Sequence, residues 1–161
     1  MSRTQITAEP DMPLIIITRE FDAPRDLVFR AYTEPELLTQ WLGGCDARIT
    51  IERYDVRDGG RWRYLSQDAE GRVYGFRGVF HGAPSPDAIV QTFEYEGSPG
   101  QVSLDTYTFE DLGGMTMVRS VSSFQSVENR DRIVEQSMEL GVRNSARQLA
   151  DVLAKLQTSA T

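Results

Sequence analysis

The segment from Ser126 to Gln157 constrains the chain most. Along it Val134, Met138, Val142, Ser145, Leu149, Val152 (with Leu153) and Leu156 recur every three or four residues, which is one face of an α-helix. Glu139, Arg143, Arg147, Asp151 and Lys155 follow at intervals of four on another face, a solvated stripe with charges of both signs. At ~1.5 Å per residue, about 30 helical residues make a rod of roughly 45 Å, the full width of a domain of this size. No other segment has this length and period, so the strands upstream must pack against it.

Those strands can be placed from alternation and turn residues. Residues 1–13 are polar and read as a flexible N-terminal arm, with the single domain beginning at Leu14 and ending at Gln157. Leu14–Phe21 is a β-branched strand. Asp22-Ala23-Pro24 stops it and starts a short helix with Leu27, Val28, Ala31 and Tyr32 on one side. Thr33-Glu34-Pro35-Glu36 has the form of a capping box, with Thr33 as N-cap, for a second helix over 34–42 that ends at Gly43-Gly44. From Arg48 the period becomes two. Arg48–Val56, Arg61–Ser66, Arg72–Gly82, Ala88–Tyr95, Val102–Glu110 and Met115–Phe124 are separated by short turns rich in Gly, Pro and Asp. The order is β-α-α-β6-α, an α+β arrangement in which a seven-stranded antiparallel sheet wraps around one long C-terminal helix. Such wrapping can leave a cavity between sheet and helix. Gly78, inside an aromatic row, and Gly141, inside the long helix, point either to a close approach or to room for a ligand.

Composition removes several function classes. A net charge of −7 argues against nucleic acid and against an anionic membrane surface, both of which call for clustered Lys and Arg. No run approaches ~20 apolar residues, and Met1–Pro13 lacks the apolar region of a signal peptide, so a cytoplasmic protein is expected. One cysteine, Cys45, and one histidine, His81, give neither a disulfide nor a zinc spacing, and no cofactor or metal is called for. His81, before a Gly-Ala-Pro turn, has no nucleophile or orienting acid beside it in sequence and reads as a structural or surface residue. Cys45 follows a helix end and lacks a setting that would lower its pKa. Asp55–Arg61 reads as a hairpin whose Asp and Arg side chains pair with each other. Among the mid-strand arginines, parity sets Arg63 and Arg77 opposite aromatic residues and so outward. Arg119 shares parity with Met115, Met117 and Val121 and is the candidate for an inward, ligand-orienting cation.

Thr18-Arg19-Glu20-Phe21-Asp22-Ala23-Pro24 followed by Leu27-Val28-Phe29-Arg30-Ala31 resembles the opening signature of the Aha1-like (activator of Hsp90 ATPase homologue) domains. Trp41, Asp55-Val56-Arg57-Asp58-Gly59-Gly60-Arg61-Trp62, Gln91-Thr92-Phe93, Gly113-Gly114-Met115-Thr116 and the run Ser126–Leu153 extend the likeness over residues 14–157. The resemblance implies the START-like (Bet v 1-like, SRPBCC) helix-grip fold, which has the same element order. It also implies a cavity for a hydrophobic ligand between sheet and last helix. Val142 and Leu42-Gly43-Gly44-Cys45 stand where many relatives carry aromatics, which should alter the size or mouth of that cavity.

With that architecture, the inner rows assign the ligand cavity to Trp41, Trp62, Tyr64, Phe76, Phe80, Phe93, Tyr107, Met117, Arg119, Met138 and Val142. Three functions follow from these readings. The first is binding of a small hydrophobic or aromatic molecule, by a monomer or homodimer and without a catalytic set. The second is a polyketide cyclase or dehydratase-like enzyme using His81, Arg119 and tyrosines. The third is a co-chaperone domain acting on an Hsp90-type ATPase. Binding is favoured over catalysis, because no nucleophile–base pairing is legible in the sequence.

Overall fold

The computed structural model describes residues 3–43, 46–136 and 138–159. In chain order these form β1 (Thr4–Thr7), β2 (Leu14–Phe21), α1 (Arg25–Thr33), α2 (Pro35–Leu38), β3 (Arg48–Tyr54), β4 (Arg61–Gln67) and β5 (Val73–Val79). There follow β6 (Ile89–Tyr95), β7 (Val102–Asp111), β8 (Thr116–Ser123), α3 (Val127–Glu135) and α4 (Met138–Ser159). The strands make one antiparallel sheet in the order β1-β2-β8-β7-β6-β5-β4-β3. The helices cover its inner face, the α+β helix-grip arrangement expected from the element order.

The sheet has eight strands where seven were expected. The additional strand is part of the anticipated arm: Thr4–Thr7 pairs with Ile16–Arg19 of β2. Arg3 is salt-bridged to Asp22 at 3.0 Å, and Arg143 on α4 donates to the Thr4 carbonyl at 3.0 Å. Four residues carry too little alternation to announce a strand, and tertiary contacts make this one.

The long C-terminal helix is two helices. Ser126 caps α3, accepting from the Asn129 N–H at 3.1 Å. At Gln136 the backbone leaves helical geometry (φ −88°, ψ 33°), and a second helix is under way at Met138. The inward residue of α3 is Arg130, 3% exposed, whose guanidinium donates to the carbonyls of Glu9 (2.8 Å) and Leu14 (3.3 Å) and pairs with Asp131. Val134, placed by periodicity on the apolar face, is 41% exposed. Only α4 carries a core stripe: Ala146, Leu149, Val152 and Leu153 are buried, with Ser145 beside them.

The capping box at Thr33 does not form either. The Thr33 hydroxyl donates back to the Phe29 carbonyl at 2.9 Å, and Glu34 ends α1 and begins α2 without a side-chain cap. α2 is one turn long, and a run of turns carries the chain through Leu42. Trp41 in those turns is 3% exposed and donates its indole N–H to the Ala31 carbonyl at 3.0 Å, clamping α2 to α1. The expectations for Gly44 and Cys45 lie outside the described residues.

The two interior glycines separate. A Cβ on Gly78 would run into the Thr92 carbonyl and the indole of Trp62, so glycine there lets Trp62 lie flat on the sheet. A Cβ on Gly141 would meet nothing within 4 Å, so no close approach accounts for that residue. Gly141→Ala should therefore raise stability by about 0.5–1 kcal/mol through helix propensity. Leu149→Ala, at a fully buried position, should lower it by roughly 2–5 kcal/mol. Urea unfolding followed by circular dichroism measures both.

Candidate functional site

Strand parity brings one aromatic layer onto the inner face. Trp62 and Tyr64 on β4 stack at 5.6 Å, Tyr64 and Phe76 at 5.1 Å, and Phe93 lies 5.7 Å from Trp62 and 5.4 Å from Phe76. Across the sheet Tyr107 on β7 meets Tyr32 of α1 at 5.8 Å, and Tyr32 meets Trp41 at 4.9 Å. Between these two groups lies a cavity of about 80 Å³. The expected residues Trp41, Trp62, Tyr64, Phe93 and Tyr107 line it, together with Tyr32, Tyr54, Ile51, Ile89, Gln91, Leu38 and Leu42. Its roof is the α1–α2 pair and the turn after it, rather than the last helix. A second cavity of about 150 Å³ lies beneath α3, with Asn129, Arg132, Ile133 and Gln136 above it and Tyr95, Ser103 and Phe124 among its walls. Phe93 borders both. Each is small against the roughly 300 Å³ of an ordinary ligand site, so a sizeable ligand requires the Phe93 ring to move and join them.

The other expected lining residues sit elsewhere. Phe80 is fully buried behind the cavity, with its ring edge-on to Tyr54 at 5.5 Å. Phe76 lies one ring back, between Tyr64 and Phe93. The inward residues of β8 are Thr116, Val118 and Ser120, so Met117 and Arg119 face outward, and Arg119 is exposed. Parity on β8 had been read one residue off, because its inward side is partly polar. Met138 and Val142, on the first turns of α4, are half-buried and border neither of the two cavities. His81 is exposed and away from both cavities. Arg63 and Arg77 face outward as expected, held by Glu96 at 2.7 Å and Glu94 at 3.1 Å, with Glu52 also bound to Arg63. Arg57 pairs with Asp55 at 2.8 Å, the internal pairing expected of that hairpin.

The polar groups around the cavity escaped the sequence reading. The inward arginine is Arg19, which shares parity on β2 with the buried Ile15 and Phe21. It donates to the Tyr32 hydroxyl at 3.4 Å. The alternation of Ile15, Ile17, Arg19 and Phe21 carried this signal. Asp105 on β7, 5% exposed, stands opposite Gln91 on one side and Ser122 on the other. Burial raises its carboxyl pKa to about 6, against the lowering effect of hydrogen bonds from Ser122 and Ser103, the latter at 3.0 Å. Burial also pushes the phenols of Tyr32, Tyr54, Tyr64 and Tyr107 upward, so all four are protonated donors at neutral pH. Tyr54 spends its proton on the Tyr32 backbone carbonyl at 3.0 Å. The indole N–H of Trp62 is buried with no acceptor among the described residues.

A carboxyl whose pKa rises on folding binds more protons in the native state. Stability is therefore greatest below the unfolded value of 3.8 and falls as pH rises towards about 6. The loss between pH 4 and pH 7 should be on the order of 2–3 kcal/mol for this one group. Asp105→Asn should flatten that decline, as measured by denaturant unfolding at the two pH values.

The architecture has many solved counterparts. A protein from Arthrobacter aurescens superposes with a TM-score of 0.87 at 24% identity, covering 96% of this chain and 93% of its own. One from Staphylococcus epidermidis gives 0.79 at 28% identity over 92% and 94%. The AHSA1 protein from Silicibacter pomeroyi gives 0.71 at 21% identity over 88% and 97%. No curated protein matches the sequence. The family model of the activator of Hsp90 ATPase homolog 1-like proteins matches residues 22–154, which span α1 through nearly the whole of α4. The chain belongs to the activator of Hsp90 ATPase homolog 1-like family.

Proposed function

We propose that the protein binds a small, mainly apolar, aromatic-compatible molecule in the cavity beneath α1 and α2, with the space under α3 as its extension. One observation carries this reading: a cavity walled by Trp41, Tyr54, Trp62, Tyr64, Phe93 and Tyr107 between the sheet and the α1–α2 pair. Rings on all sides offer dispersion and offset stacking to a planar ligand. The Trp62 N–H adds a polar handle. A buried donor without an acceptor costs about 1–3 kcal/mol, and an acceptor oxygen on a ligand would recover it. An apolar site with few polar groups is the usual form of small-molecule recognition. The tyrosines act here as neutral donors, which orient a ligand without transforming it.

The neutral fluorophore N-phenyl-1-naphthylamine tests the reading. It should bind saturably with blue-shifted emission. Leu42→Trp, which puts a large ring into the roof from a half-buried position, should weaken binding tenfold or more while Tm moves by only a few degrees. No saturable binding, or equal binding to the filled variant, would remove the proposal.

A further inference from the structure

Arg19 differs from several other arginines of the fold, each of which has a carboxylate partner. Arg130 has Asp131 and two carbonyls, Arg63 has Glu52 and Glu96, Arg77 has Glu94 and Arg143 has Glu139. Arg19 points to the inner face, opposite Val118, which is 2% exposed. Among the described residues no carboxylate pairs with it. Among the described residues its hydrogen bond is the long contact to the Tyr32 hydroxyl, and its buried Nε has no acceptor there. A guanidinium drawn out of water is costly unless an anion or several acceptors replace its hydration.

Its neighbours show where such an anion would sit. Because Arg19 donates to the Tyr32 oxygen, that hydroxyl has its own proton left to give. Tyr32 lines the cavity, and so does Tyr107, whose ring lies 5.8 Å away and whose buried phenol feels the Asp105 charge and, more weakly, the opposing charge of Arg19. Both phenols stay protonated because they are buried. The carboxylate on the same face as Tyr107, Asp105, is engaged by Ser103 and Ser122 and forms no ion pair with Arg19. One corner of an aromatic cavity therefore holds two phenolic donors with a cation behind them that no carboxylate of the described residues pairs directly. Charge-assisted donors of this kind favour an anionic oxygen over a neutral one.

We propose that the Arg19–Tyr32–Tyr107 corner is an anion subsite and that the ligand is an amphipathic acid: an apolar, ring-bearing body with a single anionic oxygen group. This rests on the cavity reading above and specifies the ligand class for that site.

Displacement of N-phenyl-1-naphthylamine by 2-naphthoate and by its methyl ester, two molecules of one shape differing in charge, tests it. The wild-type protein should prefer the acid by about tenfold, the size of one good charge-assisted hydrogen bond. Arg19→Gln should erase that preference by weakening the acid alone. Tyr107→Phe, which removes only a hydroxyl and keeps the ring, should reduce it in the same selective way should Arg19→Gln fold poorly. Equal affinity of acid and ester for the wild type overturns the proposal and leaves the cavity standing. Parallel loss of both ligands in the variants also overturns it, by making Arg19 and Tyr107 supports of the fold. Failure of the fluorophore itself to bind removes the cavity reading, and the subsite with it.

Discussion

The structure depends on how far the apolar stripe of α4 reaches. Leu149, Val152 and Leu153 join Phe21, Val28, Phe109 and Val118 in one buried cluster. Those residues come from β2, α1, β7, β8 and α4, and the same cluster runs on through Trp41, Trp62, Phe80 and Ile89. Beside Trp62, the inner face from β6 to β3 carries Tyr64, Phe76 and Phe93, which pack against that cluster while remaining partly exposed. The α1–α2 pair closes over this part of the sheet, clamped by the indole hydrogen bond from Trp41 to Ala31. Rings meet rings along this seam in offset and tilted pairs, and the cavity lies between them.

The same division explains which parts of the molecule were legible beforehand. Seven strands and the helix pair after the first of them could be read, because Val, Ile and aromatic alternation and the Gly-rich turns are local signals. The split of the last helix could not. The residues around Gln136 have ordinary helix propensity, and the break comes with the burial of Arg130 against the carbonyls of Glu9 and Leu14, over a hundred positions away in sequence. β1 was hidden for the same reason, since its pairing and its tie to Arg143 are tertiary.

For the site, parity worked where the inner row is aromatic and failed where it is polar. Trp62, Tyr64, Phe93 and Tyr107 lie on the inner face, where large aromatic residues at alternate positions mark it. On β8 the inward Thr116 and Ser120 look like surface residues, which turned Met117 and Arg119 the wrong way. Arg19 and Asp105 were overlooked because an ionisable residue between apolar ones is ordinarily assigned to solvent. Their burial is also what gives them chemical interest. A carboxyl raised to about 6 and a guanidinium with no carboxylate partner among the described residues are stabilities forgone by the fold, concentrated next to the aromatic cavity.

The central claim is that the aromatic seam under α1–α2 is a binding site rather than imperfect packing. A crystal structure of the protein with 2-naphthoate bound tests it most directly. The account predicts the ring system between Trp41, Trp62 and Tyr107, the Phe93 side chain displaced towards α3, and the carboxylate at Tyr32 and Tyr107 with Arg19 behind. A naphthyl ring bound elsewhere on the protein, with the seam unchanged and Phe93 in place, would contradict it.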